Sequence, residues 1–360
     1  MKKNKKKEKR KKKLRTLILL LFLTIVMLGT STYAWFTANK VVTINSIDVQ
    51  VNATGGIQIS TDGANWKSVI TNADIKAGYA YNLDDADNTN DIIAVTQFPT
   101  TISDVSTNAS PTSTGRLNMY SSTIDNDATT GAYTIETTLE TDTGTVSGIA
   151  NEASGKYIVF DIFLRLDSTQ TVYLTPSSDV TYLNTDKGLK NSARVAFVNQ
   201  GNTSSSSTVE TIAAMTGNAS SDVILWEPNV DAHSSTVVNT VAPEYGITLT
   251  ETSSGSGRYQ QVTYYGINTA ISTPLELKKV VNGTLANIAN YATEMTSSII
   301  DITTTEENSE YKTFKANMPA GVTKYRVYLW IEGQDIDCEN NATGSNIRFD
   351  IQLSTTNVSS

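Results

Sequence analysis

The sequence predicts an all-β protein: a jelly-roll-like antiparallel β-sandwich with long Ser/Thr/Asn-rich loops, preceded by an N-terminal signal helix. Three observations carry this. Apolar residues recur at every second position in segment after segment. The stretches between them are built from Ser, Thr, Asn, Gly and Asp, the residues of turns and surface loops. Helical periodicity is scarce, confined to 208–215 and 285–295.

The first element is an export signal over residues 1–34. Residues 2–15 are its basic region and Leu17 to Leu28 its apolar region. Thr32 and Ala34 then stand at the −3 and −1 positions of a signal-peptidase site, which makes Trp35 the first mature residue. Twelve apolar residues are few for a membrane span, which needs about twenty. Read through Phe36, the run is long enough to cross, so an uncleaved anchor stands as the alternative, and the membrane is met only here. Residues Leu353 to Ser360 carry no apolar tail or basic end.

Residues 35–46 form an exposed N-terminal segment ahead of the domain at 47–360. Val42 and Ile44 alternate on even positions, whereas Ile47, Val49 and Val51 alternate on odd ones. A strand has a side-chain period of two, so it cannot hold both sets on one face. The chain must bend near Asn45-Ser46. Either a bulge interrupts one sheet, or the first part is a donor strand completing a neighbour's sheet, anchored by Trp35, Phe36, Val42 and Ile44.

Within the domain, 156–167 places Ile158, Phe160, Ile162, Leu164 and Leu166 on one face, with Asp161 and Arg165 opposite. In 324–333, Tyr325, Val327, Leu329 and Ile331 oppose Arg326, Tyr328, Trp330 and Glu332. Ile347, Phe349, Ile351 and Leu353 repeat the form, as do Ala193, Val195 and Phe197. Further strands are expected at 57–60, 66–70, 91–97, 132–139, 222–226, 245–251 and 259–265. The alternation predicts one buried and one wet face. Loops are expected at 103–114, 125–131, 201–208, 252–257 and 340–345. One elaborated sandwich is the first reading, and a break near 200–220 the second.

Charge and rare residues narrow the function. Residues 1–15 hold eleven Lys/Arg and one acid; of 28 bases and 36 acids in all, 17 and 35 remain for the rest. So acidic a body does not bind nucleic acid, whose phosphates require clustered Lys/Arg. One His and one Cys cannot build a four-ligand zinc site or a disulfide framework. The expectation is a protein without enzymatic activity or cofactor.

Four segments carry candidate chemistry. Asp85, Asp87 and Asp91 lie in a loop dense in oxygen ligands suited to Ca²⁺. It lacks the glycine and terminal glutamate of an EF-hand, so a solvated acidic loop is the favoured reading and Ca²⁺ the lesser one. Glu227, Asp231 and His233 would approach one metal if their loop curled, but no HExxH helix is present. Ser60 to Trp66 reads as an Asp-Gly hairpin with a buried Trp. Cys338, within Asp335-Ile336-Asp337-Cys338-Glu339, reads as a packed thiol. Tyr264, Tyr265 and Trp330 would stack on sugars if exposed.

Thr32-Tyr33-Ala34-Trp35-Phe36-Thr37, after a glycine and an apolar run, resembles the junction of the TasA/camelysin family. The similarity covers about residues 12–51. It implies a secreted β-rich protein of Gram-positive bacteria, processed by a SipW-type signal peptidase and able to form fibres. The functional expectation is an extracellular subunit of a surface fibre or biofilm-matrix filament. Its partner would be itself, head to tail, or a related matrix subunit. The alternatives are a membrane-anchored adhesin or glycan-binding module, and a camelysin-like protease.

Overall fold

Chains with period-two apolar patterning pair their strands and bury a face, and here they do so in two sheets. The computed structural model describes residues 43–44, 46–79, 102–126, 133–140, 156–183, 185–244, 248–261, 275–277, 299–339 and 346–357. The strands are β1 (Thr43–Ile44), β2 (Ser46–Thr54), β3 (Gln58–Ser60), β4 (Val69–Thr71), β5 (Ile102–Pro111), β6 (Leu117–Asn126), β7 (Tyr133–Glu140), β8 (Ile158–Leu166) and β9 (Gln170–Leu174). They continue with β10 (Asp179–Tyr182), β11 (Ala193–Thr203), β12 (Val223–Glu227), β13 (Leu275–Leu277), β14 (Ile299–Thr303), β15 (Lys312–Met318), β16 (Gly321–Glu332) and β17 (Asn346–Ser354). Helices are short: α1 (Asn72–Tyr79) and α2 (Val209–Ala213), the second capped by Thr208, whose side chain accepts from the Thr211 N–H.

The larger sheet has the order β13-β7-β6-β5-β16-β11-β12-β14, with β8 on β16, β3 on β8 and β1 on β5. The smaller has the order β15-β9-β17-β2-β4, with β10 on β17. One hydrophobic core joins the sheets. Phe314 of β15 meets Phe197 of β11 and Tyr325 of β16 edge to face, at centroid separations of 5.0 and 5.5 Å. Each such pair adds about 0.5–1.5 kcal/mol beyond area burial. The protein is all-β, with the two-sheet character of a sandwich.

The expected antiparallel sheets are in fact mixed. β2 and β17 run parallel in register from Ser46↔Asn346 to Thr54↔Ser354, so the two ends of the domain lie side by side. β12–β14 and β16–β5 are parallel as well. Alternation reports which face is buried and is silent on strand direction, so the pattern carried no sign of this.

The expected wet faces are also corrected. β16 is buried at all twelve positions, and β12 along its whole length. β8 is buried at every position but Arg165. Polar residues alternate along β8 and β16 because their outer face is a second interior, not because it meets solvent. The expected loop at 103–114 is largely β5, and of the strand expected at 245–251 the described residues 248–251 hold only an isolated bridge, Glu251↔Tyr259. The expected elements at 91–97 and 285–295 and the signal segment lie outside the described residues.

Candidate functional site

The outer face of β16 gathers the charged side chains of the sheet. Register places Arg326 opposite Asp161, Lys324 opposite Phe163 and Trp330 opposite Arg194. All six are buried. Arg326 donates from Nε and Nη2 to the two Asp161 oxygens at 2.9 and 3.1 Å. Lys324 Nζ lies 3.3 Å from Asp161 and donates to the Ala213 carbonyl at 2.6 Å. Burial opposes ionisation of Asp161, yet the Arg326 and Lys324 charges outweigh it and hold the carboxyl below its usual range. Burial brings the Lys324 amine down to about 8 despite Asp161.

Neighbouring loops seal this layer. The Leu117 N–H donates to the Tyr328 hydroxyl at 3.1 Å, and Tyr157 stacks on the Tyr328 ring. Gln200 clamps two turns, donating to the Gly115 carbonyl and accepting from the Gly217 N–H, each at 2.9 Å. A Cβ on Gly115 would stand 2.5 Å from Gly217 Cα, and Gly115 has φ +66°, so only glycine fits this crossing.

A second cluster closes the Glu332 end of β16. Arg194 donates to Asp335 and lies 3.5 Å from Glu227, all three side chains 5% exposed or less. Neither Glu227 oxygen accepts a hydrogen bond. Burial, with Arg194 opposing and Asp301, Asp335 and Glu332 reinforcing, lifts the Glu227 carboxyl to about 8. Burial lifts Glu332 to about 7, against hydrogen bonds from Ser106, the Trp330 indole and the Gln334 N–H. Arg194 opposes that rise too. The Trp330 bond spans 3.2 Å.

Asp337 extends the cluster to His233. Its Oδ2 stands 2.6 Å from His233 Nδ1, and its Oδ1 accepts from the Ser234 N–H at 3.1 Å. Burial alone would lower the His233 pKa, but the hydrogen bond and charge of Asp337 raise it. Burial raises Asp337, with His233 opposing. The pair therefore holds one proton tightly.

The residues singled out in sequence thus separate and regroup. Glu227 faces Arg194, and His233 faces Asp337. Asp231 accepts from the Glu306 N–H at 2.9 Å and lies 3.7 Å from Arg258. They do not share a centre, and among the described residues no group of three or more His, Cys, Asp or Glu side chains is placed to hold a metal. Asp335 and Asp337, noticed only as neighbours of Cys338, supply the partners of Arg194 and His233. Cys338 itself packs against the core. Trp330 is fully buried, so it offers no stacking face. Trp66 is half-buried rather than buried, with the Arg165 guanidinium 4.3 Å from its ring centre. Asp62 makes the turn before it, accepting from the Ala64 and Asn65 N–H groups at 2.8 and 2.7 Å. Arg194 and Lys324 were missed in the sequence. Their signal was a basic residue in the middle of an apolar strand pattern, ordinarily the mark of a solvent face.

The N-terminal junction lies beside this cluster. β1 pairs antiparallel with β5 through two residues, Thr43↔Ser103 and Ile44↔Ile102. Two residues on, β2 runs in the other sheet. The break in apolar phase therefore falls where the chain changes sheets, and Ser46, expected in the N-terminal segment, already belongs to β2. Farther along β5, Asp104 and Val105 pair with Ile331 and Glu332 of β16. Thr32, Ala34, Trp35, Phe36 and Val42 lie outside the described residues, as do Asp85, Asp87, Asp91, Tyr264 and Tyr265.

No family model, no curated protein and no solved structure matches the chain.

Proposed function

We propose that the chain is an exported structural subunit of an extracellular fibre or matrix, joined to its neighbours through the segment Trp35–Ile44. It is not an enzyme on this reading, and its partner is a second copy or a related subunit. One observation carries the reading: among the described residues, β1 joins β5 through two residue pairs, Thr43↔Ser103 and Ile44↔Ile102, and does not continue the nine-residue pairing of β2 with β17. A two-residue pairing is cheap to exchange. Main-chain pairing with a neighbour's sheet, with Trp35, Phe36, Val42 and Ile44 as anchors, is a known mode of strand addition. Burying one large apolar side chain is worth about 1.5–3 kcal/mol, so two or three anchors make a persistent joint. A head-to-tail contact that does not close on itself grows into a filament.

The likeness of the cleavage junction to the TasA/camelysin family supports the same reading, as does the signal-like order of basic, apolar and small residues. Jelly-roll connectivity and the signal helix are part of this proposal. Sizing the exported protein and imaging it by electron microscopy tests it. Filaments or a ladder of oligomers are expected; a strictly monomeric exported protein would contradict it.

A further inference from the structure

We propose that Glu332 and Glu227 form a proton-held latch beneath the β5–β16 junction, and that their ionisation loosens the strand to which β1 is tied.

The geometry is a matter of charge count in a closed space. Four buried carboxyls, Glu227, Glu332, Asp335 and Asp337, share one guanidinium, Arg194, and one imidazole, His233. Asp335 already takes the Arg194 donor, and Asp337 takes His233. Glu227 is left to share Arg194 with Asp335, at 3.5 Å and without a hydrogen bond, and Glu332 makes no ion pair among the described residues. Carboxylates so poorly compensated are costly in a dry interior, so closure of the fold favours their protonated forms.

Every packed element contributes a group that bears on this. On β16 and the turn after it stand Trp330, Gln334, Asp335 and Asp337. β5 brings Ser106, to which Gln334 Nε2 donates at 3.1 Å. β11 brings Arg194, β12 brings Glu227 and the following loop brings His233. From β14, Asp301 adds a like charge that discourages ionisation of Glu227. The elevation of Glu332 to about 7 and Glu227 to about 8 agrees with this arrangement.

Glu332 is also well placed to transmit the change. It pairs with Val105 of β5, two residues beyond Ser103, where β1 is attached. Two groups that bind protons more tightly in the folded state give stability in acid and lose it as pH rises from about 4.5 through about 7 and then about 8. Between the open-state value and each folded midpoint, a proton held only in the closed state makes opening about tenfold more favourable per pH unit, and the effect levels off above the midpoint.

The latch is independent of whether the chain polymerises, so its test uses the soluble full-length mature protein. Infrared spectroscopy of the wild type, titrated from about pH 5 to about pH 9, reads protonated carboxyls directly. Tryptophan emission, compared between the wild type and Glu332→Gln, reads the Glu332 environment through Trp330, one of four tryptophans. The expected result is a protonated-carboxyl band near pH 6 that fades through neutrality, with the emission shifting at the same midpoint. Glu332→Gln should abolish the shift while leaving the strand content unchanged. A wild type with no protonated carboxyl at about pH 6 would overturn the proposal, and this measurement stands even where the variant does not fold. An emission transition that survives in a folded E332Q protein would overturn it equally.

Discussion

Asp161 and Arg326 face each other across β8 and β16 with both carboxylate oxygens engaged, and neither side chain meets water. A buried pair of this kind is weak evidence for net stability, because desolvation offsets most of the attraction. Breaking it is another matter. Asp161→Asn should cost about 3–5 kcal/mol, since the buried Arg326 and Lys324 charges both lose the carboxylate that balances them. Lys324→Met should cost clearly less, because Met follows the apolar stem and Asp161 keeps Arg326. Denaturant unfolding of the two variants measures the difference. Equal losses would show that Lys324, not Arg326, is the principal partner.

His233 and Asp337 give a prediction with a definite sign. The His233 pKa is raised on folding, so its contribution is fully present below its unfolded value of about 6.5 and is lost as pH rises through the folded value. Asp337, also raised, acts in the same direction. His233→Gln should therefore destabilise most near pH 5–6 and progressively less toward about pH 9. Thermal unfolding at several pH values checks it; a loss that grows with pH would refute the pairing. No casein cleavage should depend on His233, whose side chain is 3% exposed.

Gly115 meets Gly217 too closely for any side chain. Gly115→Ala adds a left-handed backbone penalty of about 1–3 kcal/mol to a direct clash with backbone atoms. Soluble yield and unfolding midpoint should both fall sharply. Gly56→Ala makes the control: it too has positive φ, but its Cβ would meet nothing within 4 Å.

How much of this was legible beforehand differs from element to element. β8, β11, β16 and β17 announced themselves through Ile158 to Leu166, Ala193 to Phe197, Tyr325 to Ile331 and Ile347 to Leu353, because apolar residues at every second position leave a direct mark in the sequence. β5 and β6 did not. The Ser, Thr and Asn residues of β5 read as loop and most of β6 gave no strand reading; they become strands because β16 and their mutual pairing supply the ladder, a tertiary override of propensity. The buried ion clusters were invisible for a related reason. Arg194, Lys324 and Glu332 look like solvent-facing residues until something covers them, and that covering is long-range: Leu117 reaches Tyr328 across 211 residues. His233 was noticed, but its partner Asp337 is 104 residues away. The change of sheets after β1 is the exception, since the phase slip between Ile44 and Ile47 marks it in sequence.

The exported chain should begin at Trp35. Thr32 and Ala34 after a twelve-residue apolar run set the site. N-terminal sequencing of protein from the medium decides this; protein still starting at Met1 in the membrane fraction would argue for a retained anchor instead.

Filament yield of a chain begun at Asn45, set against one begun at Trp35, bears most directly on assembly through the N-terminal strand. Circular dichroism of both controls for folding. The expected result is filaments from the longer chain and a folded monomer from the shorter, with Val42→Asp and Ile44→Asp together weakening polymers in the longer chain without unfolding it. Normal filaments from the chain begun at Asn45 would contradict the donor role and leave the segment a mere tether. An unfolded product would contradict it too, by making the segment an indispensable strand of its own domain.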